Sequence, residues 1–268
     1  MYRAARYAVL GTVTLEQDEC MDTHERQLAV ITDASTPIGL EFARLYAQDR
    51  FDLVIAADDP AIHQTAWELG ELGVRCDAVQ CDMASPVLKG QLTAIVAGRP
   101  VDALLAITQL GSGQDFAQAG LNEVLKDIQS NIDATVRMVF EMAREMRHRG
   151  KGHIIIVGSL DEIMPGILEA VYNCSKAFLD SLSAALSNEL KDSGVTVTCL
   201  MPCPTGADAK EYASQVTNAR RERVSKGNLK LVVGAGNRLH AAMHGTERRF
   251  PTRSQRSRPY LLPSKLLQ

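Results

Sequence analysis

The sequence predicts an α/β fold with a doubly wound, mainly parallel sheet, a Rossmann-like three-layer αβα sandwich. Three observations lead to this prediction. Short apolar runs alternate with longer segments in which apolar residues recur at helical spacing. The apolar runs show no regular polar alternation, which is typical of strands covered by helices on both faces. The 268 residues are enough to build one such domain around a sizeable core.

The elements follow one another in order from residue 28 onward. Strands are predicted at 28–32, 53–56, 75–80, 103–107, 154–157 and 195–201. Helices are predicted at 38–48, 62–72, 121–147 and 172–191. Crossovers between parallel strands are right-handed, so they place helices on both faces of the sheet. After Pro204 the pattern weakens to a polar helix at 211–223 and short ordered candidates at 229–233 and 238–243.

The chain divides into three parts. Residues 1–26 are predicted to be a disordered N-terminal extension, with a start near Met21 as an alternative for the first twenty residues. Residues 27–245 form the single folded domain. Residues 246–268 form a basic tail, for which a solvated, frayed end is favoured over an anion-binding segment.

Composition excludes several classes of function. The formal net charge of -3 gives no general attraction to nucleic acid or to an anionic membrane, and no apolar run reaches the roughly 18 residues of a membrane span. The apolar stretch at 8–10 is too short for a secretory signal. The six cysteines have no Cys-x-x-Cys spacing, so reduced thiols and a cytoplasmic location are expected. No metal site is predicted, because His240 and His244 lack both an intervening Glu and a third ligand.

Tyr172 and Lys176 form the most specific chemical pattern of the chain, together with Ser159 upstream. Positions i and i+4 share one face of a helix, so the ammonium can lie near the phenol. A nearby cation lowers a phenol pKa that is ordinarily about 10, as a general acid at neutral pH requires. Ser159 follows the strand at 154–157 and could hydrogen-bond a substrate oxygen. A helical surface pair is the alternative interpretation of the tyrosine and lysine.

These residues resemble the active-site pattern of the short-chain dehydrogenase/reductase family over roughly residues 28–205. The resemblance implies a Rossmann fold, a nicotinamide cofactor (NAD or NADP), and hydride transfer between an alcohol and a carbonyl. It implies that Tyr172 is the acid/base and that Ser159 polarises the carbonyl. It also implies that Lys176 lowers the tyrosine pKa and binds the nicotinamide ribose. Asn131, on the long predicted helix, matches the asparagine that holds a proton-relay water.

The loop after the first strand departs from the family pattern. That pattern is Thr-Gly-x-x-x-Gly-Ile-Gly, whereas residues 32–39 read Thr-Asp-Ala-Ser-Thr-Pro-Ile-Gly, so only the third glycine remains. The missing glycines would permit positive φ and a close backbone approach to the pyrophosphate. Asp33 tolerates a left-handed conformation but brings a carboxylate towards two phosphates. Pro37 has no N–H to donate.

The same loop keeps a sound helix start. Thr followed by Pro suits an N-cap and first helical position, so the helix N-terminus and its positive dipole are expected to remain. We therefore expect a weakened pyrophosphate site rather than an absent one. The loop residues assigned to the cofactor are Thr32, Ser35, Thr36 and Ile38.

Further cofactor residues follow later strands. Asp58 could accept hydrogen bonds from the ribose 2′-OH of NAD and would repel a 2′-phosphate, so NAD is favoured over NADP. An exposed turn aspartate is the alternative. The resemblance places Asp82 against the adenine, although an Asp there could simply cap a turn. It places Pro202 and Thr205 beside the nicotinamide. Residues 106–109 read Ala-Ile-Thr-Gln where the family has Asn-Asn-Ala-Gly.

Two functions remain open at this stage. The first is an NAD(P)-dependent oxidoreductase acting on a small-molecule alcohol/carbonyl pair, supported by the complete catalytic set. The second is a cofactor-deficient pseudoenzyme used for binding or as a scaffold, supported by the altered loop. By resemblance, a homodimer or homotetramer is expected through the helix that carries Tyr172, which also presents Phe178 and Leu182. The substrate itself has no signature in the sequence.

Overall fold

The computed structural model describes residues 26–82, 96, 98–108, 115–158 and 170–201, and the backbone of a strand at 230–232. Its strands are β1 (Leu28–Thr32), β2 (Asp52–Ala57), β3 (Cys76–Gln80), β4 (Val101–Ala106), β5 (Gly152–Val157), β6 (Val195–Met201) and β7 (Lys230–Val232). Its α-helices are α1 (Pro37–Gln48), α2 (Ile62–Gly70), α3 (Leu121–Ile128), α4 (Ala134–Arg149) and α5 (Ala170–Glu189), with a π-helix at Gln129–Asp133 between α3 and α4. Residues 1–25 of the extension predicted at 1–26 lie outside the described residues. The tail predicted at 246–268 and the elements predicted at 211–223 and 238–243 lie outside them as well.

The strands form one parallel sheet in the order β3-β2-β1-β4-β5-β6-β7. The chain therefore runs outward from β1 to β3, crosses back to β4, and continues in the other direction. This reversal is the doubly wound arrangement, so the predicted fold class is confirmed. The bounds of β1 and β6 coincide with the prediction, and β7 falls within the candidate segment 229–233.

Successive residues of each strand pack into two separate hydrophobic clusters, one on each face of the sheet, because side chains alternate between the faces. Ile31 and Ile55 pack with α1 and α2 on one face. Val30 and Val54, one residue earlier in each strand, pack with α4 and α5 on the other. Both faces are thus buried, which explains why the strands read as continuous apolar runs.

Ion pairs close the amino-terminal edge of the sheet. Asp52 begins β2 and accepts hydrogen bonds from Arg99 Nη2 at 2.6 Å and from the Arg75 backbone N–H at 3.1 Å. Asp102 accepts from the Leu28 backbone N–H at 3.2 Å, where the β1–β4 register is irregular. These carboxylates satisfy partly buried backbone donors, so this edge has a structural role.

The long helix predicted at 121–147 is not a continuous α-helix. The structure divides it into α3, the π-helix and α4, and the π-helix contains Ser130 and Asn131, both buried. One extra residue per turn rotates the following side chains relative to a regular helix. Among the described residues, no helix is both long enough and apolar enough to cross a lipid bilayer.

Candidate active site

The candidate site lies at the carboxyl edge of the sheet. Thr32 ends β1, Asp58 follows β2, Asp82 follows β3 and Thr108 follows β4. In open parallel sheets the crevice beyond this edge, near the point where strand order reverses, is the usual ligand site. The reversal lies between β1 and β4, so the predicted loop and Thr108 face the same region.

The tyrosine and lysine lie together on α5, as predicted from their spacing. Lys176 is only 2% exposed, and its Nζ lies 5.1 Å from the centroid of the Tyr172 ring. A buried ammonium at the face of an aromatic ring is a favourable cation–π contact. Tyr172 is partly exposed, whereas its cation partner is buried.

Two neighbouring strands hold the Lys176 ammonium. Nζ donates to the Val157 carbonyl oxygen at 3.3 Å, at the end of β5. It also donates to Oγ1 of Thr108, which follows β4 and is itself buried. The sequence prediction did not include Thr108. The signal that could have revealed it is a hydroxyl residue where the family pattern has Ala.

Asn131 occupies the π-helix with one polar atom unsatisfied. Its Nδ2 donates to the Asp127 carbonyl oxygen at 3.1 Å, whereas its buried Oδ1 has no hydrogen-bond partner among the described residues. Such an atom costs free energy unless water or a ligand satisfies it. Since π-helical turns are frequent at functional sites, this arrangement fits the role of water holder that the resemblance implies. Asn173, next to Tyr172, is also buried with both amide atoms unsatisfied.

The loop after β1 keeps its backbone shape without its first two glycines. Asp33 has φ of 51°, so it adopts the left-handed conformation expected from its residue type. Thr36 caps α1 as predicted: its Oγ1 accepts from the Gly39 N–H at 3.2 Å and donates to the Asp33 carbonyl oxygen at 2.8 Å. Pro37 is the first helical residue.

Gly39, the glycine that remains, is required by close packing. A Cβ atom there would lie 2.6 Å from the Asp33 carbonyl oxygen and 2.7 Å from Ala34 Cα. Any side chain would push α1 away from the loop. The retained glycine therefore keeps the helix N-terminus against the end of β1.

Thr32 ties the loop to the neighbouring strand. Its hydroxyl donates to the Ile107 carbonyl oxygen at 2.9 Å and accepts from the Ile107 N–H at 2.8 Å. Both partners are buried. The structure thus gives Thr32 a positioning role, and its assignment as a cofactor contact stays a prediction.

The remaining predicted loop residues line the start of α1. Ser35 and Ile38 are partly exposed, and the side chain of Ile38 packs against the core. The Ile38 N–H has no acceptor within the described residues, so it is available to an anion at the positive end of the helix. Ser159, Pro202 and Thr205 lie outside the described residues.

Carboxylates dominate the electrostatics of this edge. Burial raises the pKa of Asp33 above its ordinary value of 3.8, the Asp58 carboxylate raises it further, and the Lys176 ammonium lowers it. Burial and the charges of Asp82 and Asp58 raise the pKa of the Cys81 thiol to about 11. The ends of β1, β2 and β3 thus share an acidic environment. This environment disfavours additional negative charge.

Asp58 and its neighbour differ in what they contact. Asp59 Oδ1 accepts from the Ala61 N–H at 2.9 Å, so Asp59 is a turn-capping residue. Asp58 is exposed, and no such turn contact involves its side chain among the described residues. It is therefore accessible to a ribose. In the described part of the chain, no cluster of three or more His, Cys, Asp or Glu side chains could hold a metal ion.

A family model described as short chain dehydrogenase matches residues 27–217. The chain belongs to the short-chain dehydrogenase family. Among its relatives is a putative ketoacyl reductase of Streptomyces coelicolor, 27% identical over 211 residues, which are 75% of this chain and 81% of that protein. The very-long-chain 3-oxoacyl-CoA reductase of Neurospora crassa is 31% identical over 178 residues, which are 63% of this chain and 53% of that protein. The chain thus spans about half the length of the fungal relatives.

Solved structures agree with the family at the level of the fold. The bulky-bulky ketone specific alcohol dehydrogenase from Comamonas testosteroni superimposes with a TM-score of 0.71 at 24% identity, over 87% of this chain and 99% of that chain. Members of this oxidoreductase family use NAD or NADP.

The described residues of this short-chain dehydrogenase fit a dinucleotide, with one unfavourable charge. The capped helix, the unpaired Ile38 N–H and the left-handed backbone at Asp33 keep the shape of a pyrophosphate loop. The buried ammonium of Lys176 and the unsatisfied Oδ1 of Asn131 supply polar atoms at the catalytic end. The buried Asp33 carboxyl group is the part that does not fit, because phosphates would lie close to it.

Proposed function

We propose that this protein is an NAD(P)-dependent oxidoreductase that interconverts an alcohol and a carbonyl with Tyr172 as the acid/base. The observation that carries the proposal is the buried Lys176 ammonium, fixed by two strands at the face of the Tyr172 ring. Burying an ammonium costs free energy, and a positive charge at this place favours the phenolate form of Tyr172.

The roles of the residues follow from their chemistry. The bound nicotinamide supplies or accepts the hydride. Tyr172 donates a proton to the carbonyl oxygen in reduction and removes it in oxidation. Lys176 stabilises the phenolate that remains after donation, and Ser159 hydrogen-bonds the same substrate oxygen. Asn131 holds the water that reconnects Lys176 with solvent protons.

NAD is the favoured cofactor, because the acidic edge around Asp58 would repel a 2′-phosphate. We expect micromolar binding of NADH and at least about tenfold weaker binding of NADPH in isothermal titration. Asp58→Arg should reverse or abolish this preference, since a guanidinium pairs with phosphate. Asp59→Arg, with the same charge change one residue further from the strand, is the control. Equal affinity of the unmodified protein for both nucleotides would contradict the role of Asp58.

The same titration separates the oxidoreductase from the pseudoenzyme. The pseudoenzyme is favoured by one observation, the buried carboxyl group of Asp33 in the pyrophosphate loop, which would repel the phosphates of a dinucleotide. If neither nucleotide binds at millimolar concentration, the oxidoreductase proposal fails. The relatives named above are reductases, which favours the enzyme. Their names also make 3-oxoacyl thioesters the first substrates to screen, followed by simple ketones.

We also propose that the protein is a homodimer formed through α3 and α5. No residue of α3 is buried, and Leu121, Leu125 and Ile128 are exposed on it, with Phe178 exposed on α5. Leu182, which the sequence also assigned to this interface, packs partly against the core and therefore offers less apolar surface to a second subunit. A monomer rarely leaves several large apolar side chains exposed on adjacent helices.

Sedimentation equilibrium tests the dimer. The unmodified chain should sediment with twice the mass expected from its sequence, or four times if dimers pair. Leu125→Asp should shift the equilibrium to monomer, because a carboxylate would be buried in the interface. Trp67→Asp on α2, an equally drastic change at another exposed apolar residue, is the control and should leave the mass unchanged. A monomeric parent protein at micromolar concentration would refute the assembly.

A reducing, cytoplasmic location completes the proposal. The cysteines in the described residues, Cys76, Cys81, Cys174 and Cys199, are free thiols. Burial, with a smaller contribution from Asp77, raises the pKa of the Cys76 thiol to about 12, so this side chain stays protonated at neutral pH. Protonated thiols react slowly with oxidants, which supports structural rather than redox roles.

A further inference from the structure

The Lys176 ammonium donates one of its hydrogen bonds to a segment that differs from the family pattern. Residues 106–109 read Ala-Ile-Thr-Gln in place of Asn-Asn-Ala-Gly. The third residue, Thr108, is 7% exposed and accepts a hydrogen bond from Lys176 Nζ across a separation of 68 residues in the chain. The alanine of the family pattern has no side-chain atom that could accept this bond.

The position of Thr108 is fixed by its neighbours. Ile107 is bound to the Thr32 hydroxyl through both its N–H and its carbonyl oxygen, at 2.8 and 2.9 Å. The segment therefore cannot shift without breaking two buried hydrogen bonds to the end of β1. The Thr108 hydroxyl is consequently presented to Lys176 by the backbone, at little entropic cost when the bond forms.

The hydrogen bonds of Lys176 fix the position and orientation of its ammonium group. An ammonium has three N–H donors, and two of them are directed to Thr108 Oγ1 and to the Val157 carbonyl oxygen. With two donors fixed by β4 and β5, the orientation of the third is fixed as well. These bonds keep Nζ 5.1 Å from the Tyr172 ring centroid, although the four-carbon side chain of lysine is flexible.

We propose that Thr108 is a positioning residue that holds the Lys176 ammonium at the Tyr172 ring, a task for which the family pattern provides no side chain at this position. This inference rests on the function proposed above, because it assigns Thr108 to the same acid/base pair. Asp33, the residue after Thr32, interacts electrostatically with Lys176, and this attraction opposes release of the ammonium from the site. Loss of the hydroxyl would leave a buried ammonium with one acceptor fewer, and its support of the phenolate would weaken.

The test measures ionisation of Tyr172 directly and needs no substrate. The near-ultraviolet absorbance of phenolate is recorded against pH for the full-length chain, and the curve of Tyr172→Phe is subtracted to remove the other five of its six tyrosines. Thr108→Val keeps the shape of the side chain and removes the hydroxyl. It should move the ionisation midpoint upward by about one pH unit, the scale of one charge-assisted hydrogen bond. Thr108→Ser, which keeps the hydroxyl, should restore the original midpoint.

Lys176→Met separates this inference from the proposed function. If Lys176→Met raises the midpoint and Thr108→Val does not, the tyrosine–lysine pair stands and the role of Thr108 is refuted. If neither variant moves it, the pair itself is absent and both proposals fail. Should Thr108→Val not fold, Thr108→Ala replaces it with the residue of the family pattern. A purely structural role would lower the melting temperature of these variants without moving the midpoint.

Discussion

Tyr172→Phe should lower kcat by about 10²- to 10⁴-fold, the usual range for loss of a general acid, while leaving cofactor binding within about twofold. The substitution removes only the phenol oxygen. The ring that contacts Lys176 remains, so the ammonium keeps its cation–π partner and its bonds to Thr108 and Val157. We therefore expect an intact fold with the chemical step disabled. The measurement is steady-state turnover with the best substrate of the carbonyl screen, beside isothermal titration of NADH.

The control for this experiment is a tyrosine far from the site. Tyr46 lies on α1 in the core, where its ring meets Phe51 at a centroid distance of 5.1 Å. Tyr46→Phe should leave turnover within about twofold even if it lowers the melting temperature, because its oxygen takes no part in the reaction. If Tyr172→Phe retained a tenth or more of the parent kcat, Tyr172 would not be the acid/base.

The local geometry of the site was predictable wherever neighbouring residues determine it. The i, i+4 spacing placed Lys176 beside Tyr172 because both lie on one helix. The left-handed conformation of Asp33 and the cap at Thr36 followed from the preferences of those residue types. The carboxyl edge of the sheet followed from strand order, since parallel strands bring their ends together.

The features of the site that the sequence did not predict depend on contacts between segments far apart in the chain. The bond between Lys176 and Thr108 joins residues 68 positions apart, and the Thr32–Ile107 pair joins residues 75 apart. Neither has a periodic signal. The π-helix around Asn131 escaped as well, because one additional residue in a turn barely alters the apolar pattern of a long helix. Its effect becomes visible only in the orientation of the asparagine.

Asp33→Asn should stabilise the protein at neutral pH and tighten dinucleotide binding at least tenfold, because one charge even about 10 Å from a phosphate contributes roughly 1.7 kcal/mol at an effective dielectric near 20. Asn tolerates the left-handed conformation that Asp33 adopts at φ 51°, so the loop should keep its shape. The substitution thus separates charge from backbone conformation. Asp33→Gly removes the charge as well but also loosens the chain, so its gain in stability should be smaller.

The sign of the pH dependence follows from the raised pKa of Asp33. Burial, and then the charge of Asp58, hold this pKa above its ordinary value in the folded state, despite Lys176. The folded protein therefore binds more protons than the unfolded chain between the two pKa values, and stability falls as pH rises through that interval. Above it the cost is fully present, and below the ordinary value of 3.8 it vanishes. Asp33→Asn should accordingly exceed the parent in melting temperature at neutral pH and converge with it in acid.

Cofactor affinity should show the same dependence on protonation. Lowering the pH towards the raised pKa of Asp33 neutralises the carboxyl group next to the pyrophosphate, so the affinity of the parent protein for NADH should rise as the pH falls towards that pKa. Asp33→Asn should lack this trend, because its amide does not titrate. Asp59→Asn removes an equal charge from the exposed turn-capping residue and should retain it. If the affinity for NADH depended on pH in the same way in the parent and in Asp33→Asn, the buried carboxyl group would not oppose the phosphates. The presence of Asp in place of Gly in this loop would then need a different physical explanation.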